Sequence, residues 1–124
     1  MVQDNVVSEV ESGNFAAYAV WEPILKTDDE RSSRKAAVLF LDAWVKSYWV
    51  GSRAVGELFQ PPINLGTEPA WDVYLVYEPG VVWEGDAPPV PTFFMHQLGG
   101  RLPDERRLDG PRLRDRIENI LKDQ

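Results

Sequence analysis

The chain has 124 residues, the size of one ordinary domain, and 44% of them are hydrophobic, including five Trp. This composition indicates a folded domain with an apolar core and excludes a disordered chain. The net charge of −7 disfavours nucleic acid as a partner, because phosphate backbones repel an acidic surface. The absence of cysteine excludes disulfides, thiolate nucleophiles and thiolate metal ligands.

The chain opens with a predicted helix followed by a predicted buried strand. Valines recur at helical spacing over residues 1–13, which predicts a short polar helix. Residues 15–21 form a continuous apolar run, typical of a strand buried on both faces, and Pro23 ends it. Such strands belong to α/β proteins that have helices on both sides of the sheet.

A second helix and an edge strand are predicted next. Residues 27–30 combine hydrogen-bond acceptors with negative charge, which predicts a helix start and a helix over residues 29–40. The oxygens of the same carboxylates could also bind a cation, but helix capping explains these residues without a bound ion. Residues 45–49 are predicted to form a short edge strand.

The second half of the chain is predicted to contain a short helix and a β-hairpin. Ser52 is predicted to cap a helix over residues 53–59, which the prolines after it stop. Residues 72–77 give the strongest strand signal, and a Pro-Gly turn leads to a predicted returning strand over residues 81–83. Residues 92–98 fit either a strand or a packed loop.

The last predicted helix begins at Gly110 and Pro111, because proline is tolerated in the first turn of a helix. Its apolar stripe contains Leu113, Ile117, Ile120 and Leu121. No apolar stretch is long enough to span a membrane, and the N-terminus lacks the features of a signal peptide. We therefore expect one cytoplasmic domain over residues 1–124.

Three segments resemble bacterial thioredoxin-like proteins: residues 18–25 (YAVWEPIL), 70–77 (AWDVYLVY) and 94–98 (FMHQL). The resemblance implies a thioredoxin-like fold, which is a three-layer α/β/α sandwich with a mixed sheet. In the family, a first strand leads to a CxxC motif at a helix start, and we expect that strand and helix start to be missing here. The family's cis-proline before the hairpin is replaced by Asp72. The resemblance therefore implies a domain without redox chemistry.

A missing strand would leave an unpaired sheet edge, and proteins usually cover such edges. We therefore expect self-association into a dimer, by exchange of the predicted N-terminal helix between two copies. A different protein partner is also possible, including one that completes a fragment. No metal and no cofactor is expected.

His96 is the only histidine and the main candidate for chemistry. It is a potential general base if Asp72 or Glu84 lies nearby. The alternative is a structural role in which a ring nitrogen bonds to the backbone. Trp71 and Trp83 flank turns and are candidates for an aromatic ligand-binding pocket, although core packing is the more common role of such residues.

Arginines are concentrated near the last helix, and carboxylates are interleaved with them, which favours a salt-bridged surface over an anion site. The five arginines are Arg101, Arg106, Arg107, Arg112 and Arg114.

Two functions are compatible with these observations. The first is a non-catalytic binding or interaction module that self-associates. The second is an enzyme of unknown class that uses His96 with Asp72 or Glu84. The position of His96 in the folded chain separates them, because a general base needs a free ring nitrogen beside its partner.

Overall fold

The structure, a computed structural model, describes residues 15–24, 29–37 and 45–123. These residues combine helices and strands, in agreement with the α/β prediction. The strands and α-helices, in chain order, are β1 (Ala17–Trp21), α1 (Glu30–Ala37), β2 (Val45–Trp49), α2 (Ala54–Leu58), β3 (Val73–Val76), β4 (Phe93–His96) and α3 (Gly110–Lys122). The helix predicted over residues 1–13 and the end of the helix predicted over residues 29–40 lie outside the described residues.

The chain divides into two compact units. The first contains β1, α1, β2 and α3, and the second is Arg53–Asp109. No helix in the described part of the chain is long and apolar enough to cross a membrane.

Strands β1 and β2 pair in parallel, with Tyr18 opposite Lys46 and Val20 opposite Tyr48. The predicted edge strand over residues 45–49 is therefore confirmed. The prediction that β1 is buried on both faces is wrong, because its residues alternate between half-buried and exposed. An apolar run identifies a strand, but it does not show that both faces are covered.

Helix α1 begins with reciprocal hydrogen bonds between Asp29 and Ser32. The Ser32 amide donates to Asp29 Oδ1 at 2.7 Å, and the Asp29 amide donates to Ser32 Oγ at 2.9 Å. Glu30 then pairs with Arg34 one turn later, at 2.8 Å. The capping interpretation is therefore confirmed for Asp29, whereas residues 27 and 28 of this acidic segment lie outside the described residues.

Helix α2 is a single short turn with Arg53, not the predicted Ser52, at its N-cap position. No side chain caps it, and Gly56 is its buried residue. The predicted helix is thus confirmed in type and place, but the predicted cap is wrong because the helix starts one residue later.

Strands β3 and β4 pair antiparallel, with Val73 opposite His96 and Val76 opposite Phe93. The predicted return over residues 81–83 is wrong, because these residues belong to a long loop between the two strands. Two bonds close the loop at its base: Tyr77 Oη donates to the Pro89 carbonyl at 2.9 Å, and the Glu78 amide donates to Thr92 Oγ1 at 3.1 Å. The buried apolar strand β4 is the better partner for β3, because pairing with it removes more apolar surface from water.

The core of the second unit packs against β3 and β4. Val73 and Leu75, which alternate along β3, both contact this core. We call it the Leu98 core; its buried members are Ile63, Leu65, Ala70, Phe94, Leu98 and Leu102.

In α3, Leu113 and Ile117 are buried, which confirms the predicted start and apolar stripe of the last helix.

Candidate functional site

The His96 side chain is completely buried, and both of its ring nitrogens bond to the backbone. The Leu98 amide donates to Nδ1 at 3.0 Å, and Nε2 lies 2.7 Å from the Pro103 carbonyl oxygen. Because Nδ1 accepts from Leu98, the proton is on Nε2, which donates to Pro103. No ring nitrogen is left to accept a proton from a substrate.

The backbone of His96 is also bonded, since its carbonyl accepts from the Leu108 amide at 2.8 Å. Together with the ring, this bond ties β4 to residues 103–108. Satisfied buried polar groups of this kind rigidify a core. These hydrogen bonds fit a structural role for His96.

Asp72 lies immediately before β3, and its backbone carbonyl accepts from the Gln97 amide at 2.9 Å. Asp72 as a whole residue is exposed, but partial desolvation raises the pKa of its carboxyl group. Burial also raises the pKa of Tyr74, and the charge of Asp72 raises the same pKa further. Glu84, the other candidate partner of His96, is exposed in the loop between β3 and β4. Because both nitrogens of the His96 ring bond to backbone groups, neither carboxylate is its hydrogen-bond partner.

Asp72 has a φ of 50°, in the left-handed region of backbone conformation. Proline has a fixed φ near −65°, so it cannot adopt the conformation that Asp72 has. The turn before β3 therefore differs in backbone shape from a turn built on proline.

The two candidate tryptophans have different environments. Trp71 is half-buried and packs against the Leu98 core, as a core residue does. Trp83 is 48% exposed, and its ring meets that of Phe59 edge-on, with centroids 5.8 Å apart. Its Nε1 donates to the Gly85 carbonyl at 3.1 Å. Of the two, Trp83 has the exposed aromatic surface that a partner can contact.

An exposed aromatic surface on β1 and β2 was missed at the sequence level. Tyr18 is 64% exposed, and its ring stacks on that of Tyr48, with centroids 6.5 Å apart. Val20, opposite Tyr48, and Lys46, opposite Tyr18, are exposed on the same face. We call these four residues the tyrosine face. The signal was the alternation of alanine with larger residues in Ala17–Trp21, which indicates two unlike faces.

The arginines of the second unit bond within the protein. Arg101 pairs with Glu68 at 2.7 Å. Arg106 lies 4.3 Å from the centroid of the Phe94 ring and donates to the Phe94 carbonyl at 3.3 Å. Arg107 packs on the backbone at Gly99. Arg101 is therefore ion-paired, but with a carboxylate outside the interleaved segment, whereas Arg106 and Arg107 pack on aromatic and backbone surfaces. Of the predicted interleaved pairs, Arg114 lies 3.8 Å from Asp115.

The described residues contain no group of three or more His, Asp or Glu side chains placed to hold a metal ion. Comparison with protein-family models, with curated proteins and with solved structures gave no match.

Proposed function

We propose that this chain is a non-catalytic interaction module that self-associates through the tyrosine face. The observation that carries the proposal is the exposure of this face on a parallel pair of strands. Parallel sheets in globular proteins are almost always covered on both faces. We therefore expect this parallel pair, which has two tyrosines and a valine exposed, to be covered on that face by another polypeptide surface.

The enzyme alternative is disfavoured by the hydrogen bonds of His96. A general base must lie within hydrogen-bond reach of the proton that it removes. The His96 ring is buried, and each of its nitrogens already bonds to a backbone group. Using it as a base would break one of these bonds and leave a buried backbone group unpaired.

The charge of the tyrosine face favours a second copy as its cover. None of its four residues is acidic, although the chain as a whole carries a charge of −7. Two such faces approach each other without placing carboxylates in contact, unlike most of an acidic surface. Aromatic side chains of this kind are also enriched at the centres of protein interfaces.

A two-fold arrangement gives Lys46 a role. In a symmetric dimer, each contact of residue i with residue j occurs twice. The ammonium group of Lys46 in one copy can then lie over the ring of Tyr18 or Tyr48 in the other copy, which is a favourable cation–π contact. Helix exchange at the N-terminus, the route expected from the sequence, involves residues outside the described ones, so the tyrosine face is the route proposed here.

We also propose that the fold is thioredoxin-like and that the chain acts in the cytoplasm without redox chemistry. A parallel strand pair joined by α1, followed by an antiparallel pair and a C-terminal helix, supports the fold proposal. In the family, the first strand leads directly to a helix, and here β1 leads to α1 in the same order. We therefore propose β1 as the counterpart of that first strand, as an alternative to a missing strand before it.

Sedimentation velocity over a range of concentrations tests self-association. The wild-type chain is expected to form a reversible dimer. Val20→Asp places a carboxylate in the tyrosine face and should weaken the dimer at least about tenfold, because burying an unpaired charge is costly. Val82→Asp, the same change at an exposed valine of the second unit, is the matched control and should leave the dimer intact. A wild-type chain that stays monomeric at its highest soluble concentration would refute the proposal.

A further inference from the structure

The second unit has a one-sided charge distribution along its sequence. Residues 54–100 contain no Lys and no Arg, and their only histidine is buried. The same stretch contains six carboxylates: Glu57, Glu68, Asp72, Glu78, Glu84 and Asp86. A surface of this composition attracts cations and repels anions.

Large apolar side chains are exposed within this acidic stretch. Val81, Val82 and Trp83 follow one another in the loop between β3 and β4, and Val82 is 65% exposed. The ring of Trp83 contacts that of Phe59, the residue that follows α2. We call Val81, Val82 and Trp83, with the carboxylates Glu84 and Asp86, the Trp83 surface. Single exposed apolar residues are common, but three in succession are typical of an interaction site.

The Trp83 side chain is held in place before any partner arrives. Its ring packs edge-on against Phe59, and its indole nitrogen donates to the Gly85 carbonyl. The loop that carries it is closed at its base by the hydrogen bonds of Tyr77 and Glu78. A partner therefore pays little conformational entropy to order this residue, which is typical of a binding hot spot.

The groups still available on this surface define what it can bind. The indole N–H of Trp83 is already bonded, so its exposed part offers apolar and π contact. Glu84 and Asp86 are exposed and form no ion pair among the described residues. An aromatic ring beside unpaired carboxylates favours Lys and Arg side chains, which combine an apolar stem with a cationic end.

We propose that the Trp83 surface binds a polypeptide segment in which Lys or Arg residues alternate with apolar residues. The apolar side chains of the segment pack on Val81, Val82 and Trp83. Its cationic groups pair with Glu84 and Asp86 and lie over the Trp83 ring. Charge complementarity selects this occupant over the others, because nucleic acid and anionic lipid surfaces are repelled by the carboxylates. A second copy of this face would place carboxylate against carboxylate.

A fluorescence-anisotropy titration with labelled synthetic peptides tests this proposal on the full chain. The probe peptide contains Lys and Leu in alternation, broken by Gly. One comparison peptide has Glu in place of Lys, and another has Ser in place of Leu. The Lys-Leu peptide is expected to bind, and both comparison peptides should bind at least about tenfold more weakly. High salt should weaken the binding by screening the charge pairs.

Two variants identify the binding surface. Trp83→Ala should weaken binding of the Lys-Leu peptide about tenfold or more, as for a hot-spot residue. The double variant Glu84→Gln with Asp86→Asn keeps the side-chain shapes and should weaken it mainly at low salt. Glu118→Gln with Asp123→Asn removes the same two charges at the C-terminal helix of the first unit and should have no effect. Circular dichroism of each variant checks that the fold is retained.

Each outcome decides for or against the proposal. Equal binding by wild type and by both Trp83-surface variants, tighter binding of the Glu peptide, or no binding of the Lys-Leu peptide would overturn it. A loss of dimer in Trp83→Ala would instead assign this surface to a second copy. Because the proposed dimer uses the tyrosine face, peptide binding can fail while self-association holds, so the two proposals fail separately.

Discussion

The two strand pairs of this protein are of similar length but differ in how they are covered. In the antiparallel pair, every residue of β4 is buried, and β3 packs against the Leu98 core. In the parallel pair, one face of β1 carries exposed tyrosine and valine side chains. Apolar content does not distinguish β1 from β4, since both of these strands consist mainly of apolar and aromatic residues.

If the proposed dimer forms, the difference in burial separates a region that stabilises the fold from a region that mediates association. The β3–β4 pair is held by the Leu98 core and by the bonds of His96, so changes there should act on folding. The side chains of the tyrosine face are exposed, so changes there should act mainly on the proposed association. Four substitutions, in three experiments, test this account in addition to the two proposals above.

The largest effect on stability is expected for His96→Ala. Removing the ring leaves the Leu98 amide and the Pro103 carbonyl without their partners in a buried site. The free energy of unfolding should fall by about 4 kcal/mol, measured by urea denaturation. Gln97→Ala, at the exposed next residue, is the control and should change it by less than about 0.5 kcal/mol. If the two variants were equally stable, the structural role of His96 would be excluded.

A smaller but clear contrast is expected between Met95→Ala and Tyr18→Ala. Met95 is fully buried in β4, so its truncation should cost about 3 kcal/mol through lost burial and a cavity. Tyr18 is mostly exposed, and its stacking on Tyr48 is worth about 0.5 kcal/mol. Urea denaturation of dilute protein compares the two. Equal losses would show that the tyrosine face is part of a core.

The smallest effect is the pH dependence of Asp72→Asn. Burial raises the pKa of Asp72 in the folded state, so the folded chain holds this proton more tightly than the unfolded chain. Stability is therefore lost as the pH rises from the ordinary pKa of an aspartate through the raised one. Asp72→Asn removes this loss, and asparagine tolerates the positive φ at this position.

The variant should thus gain stability relative to wild type as the pH rises from about 3 to about 7. It should also lower the pKa of Tyr74, which the charge of Asp72 raises. Ultraviolet titration of tyrosine and urea denaturation at several pH values measure the two effects. Asp86→Asn, at an exposed carboxylate of the same unit, is the control. A relative stability that falls with rising pH would contradict the assigned cause.

Local signals in the sequence predict much of the fold. The capped start of α1, strand β2 and the start of α3 follow from caps, short apolar patterns and a helical stripe. The strand that pairs with β3 does not follow from such local signals, because residues 81–83 lie nearer to β3 in sequence than β4 does and have good strand propensity. Pairing was decided by the buried apolar surface of β4, a tertiary effect that propensity does not contain.

The candidate sites were predictable only in part. His96 and Trp83 could be singled out by residue type, but their roles depended on what they bond to. The His96 ring meets two backbone groups whose positions follow from the turn after β4. The alternation of alanine with larger residues in β1 indicates two unlike faces, but it does not show which face the rest of the chain leaves uncovered, so the exposure of Tyr18 and Tyr48 could not be predicted.

The proposed use of the tyrosine face as a dimer interface can be measured directly by nuclear magnetic resonance. A sample that mixes isotope-labelled and unlabelled chains allows a filtered experiment that detects only contacts between different copies. We expect contacts between Val20 methyl groups of one copy and the Tyr18 and Tyr48 rings of the other, and their loss in Val20→Asp. Intermolecular contacts at other residues, with none at the tyrosine face, would contradict this interface.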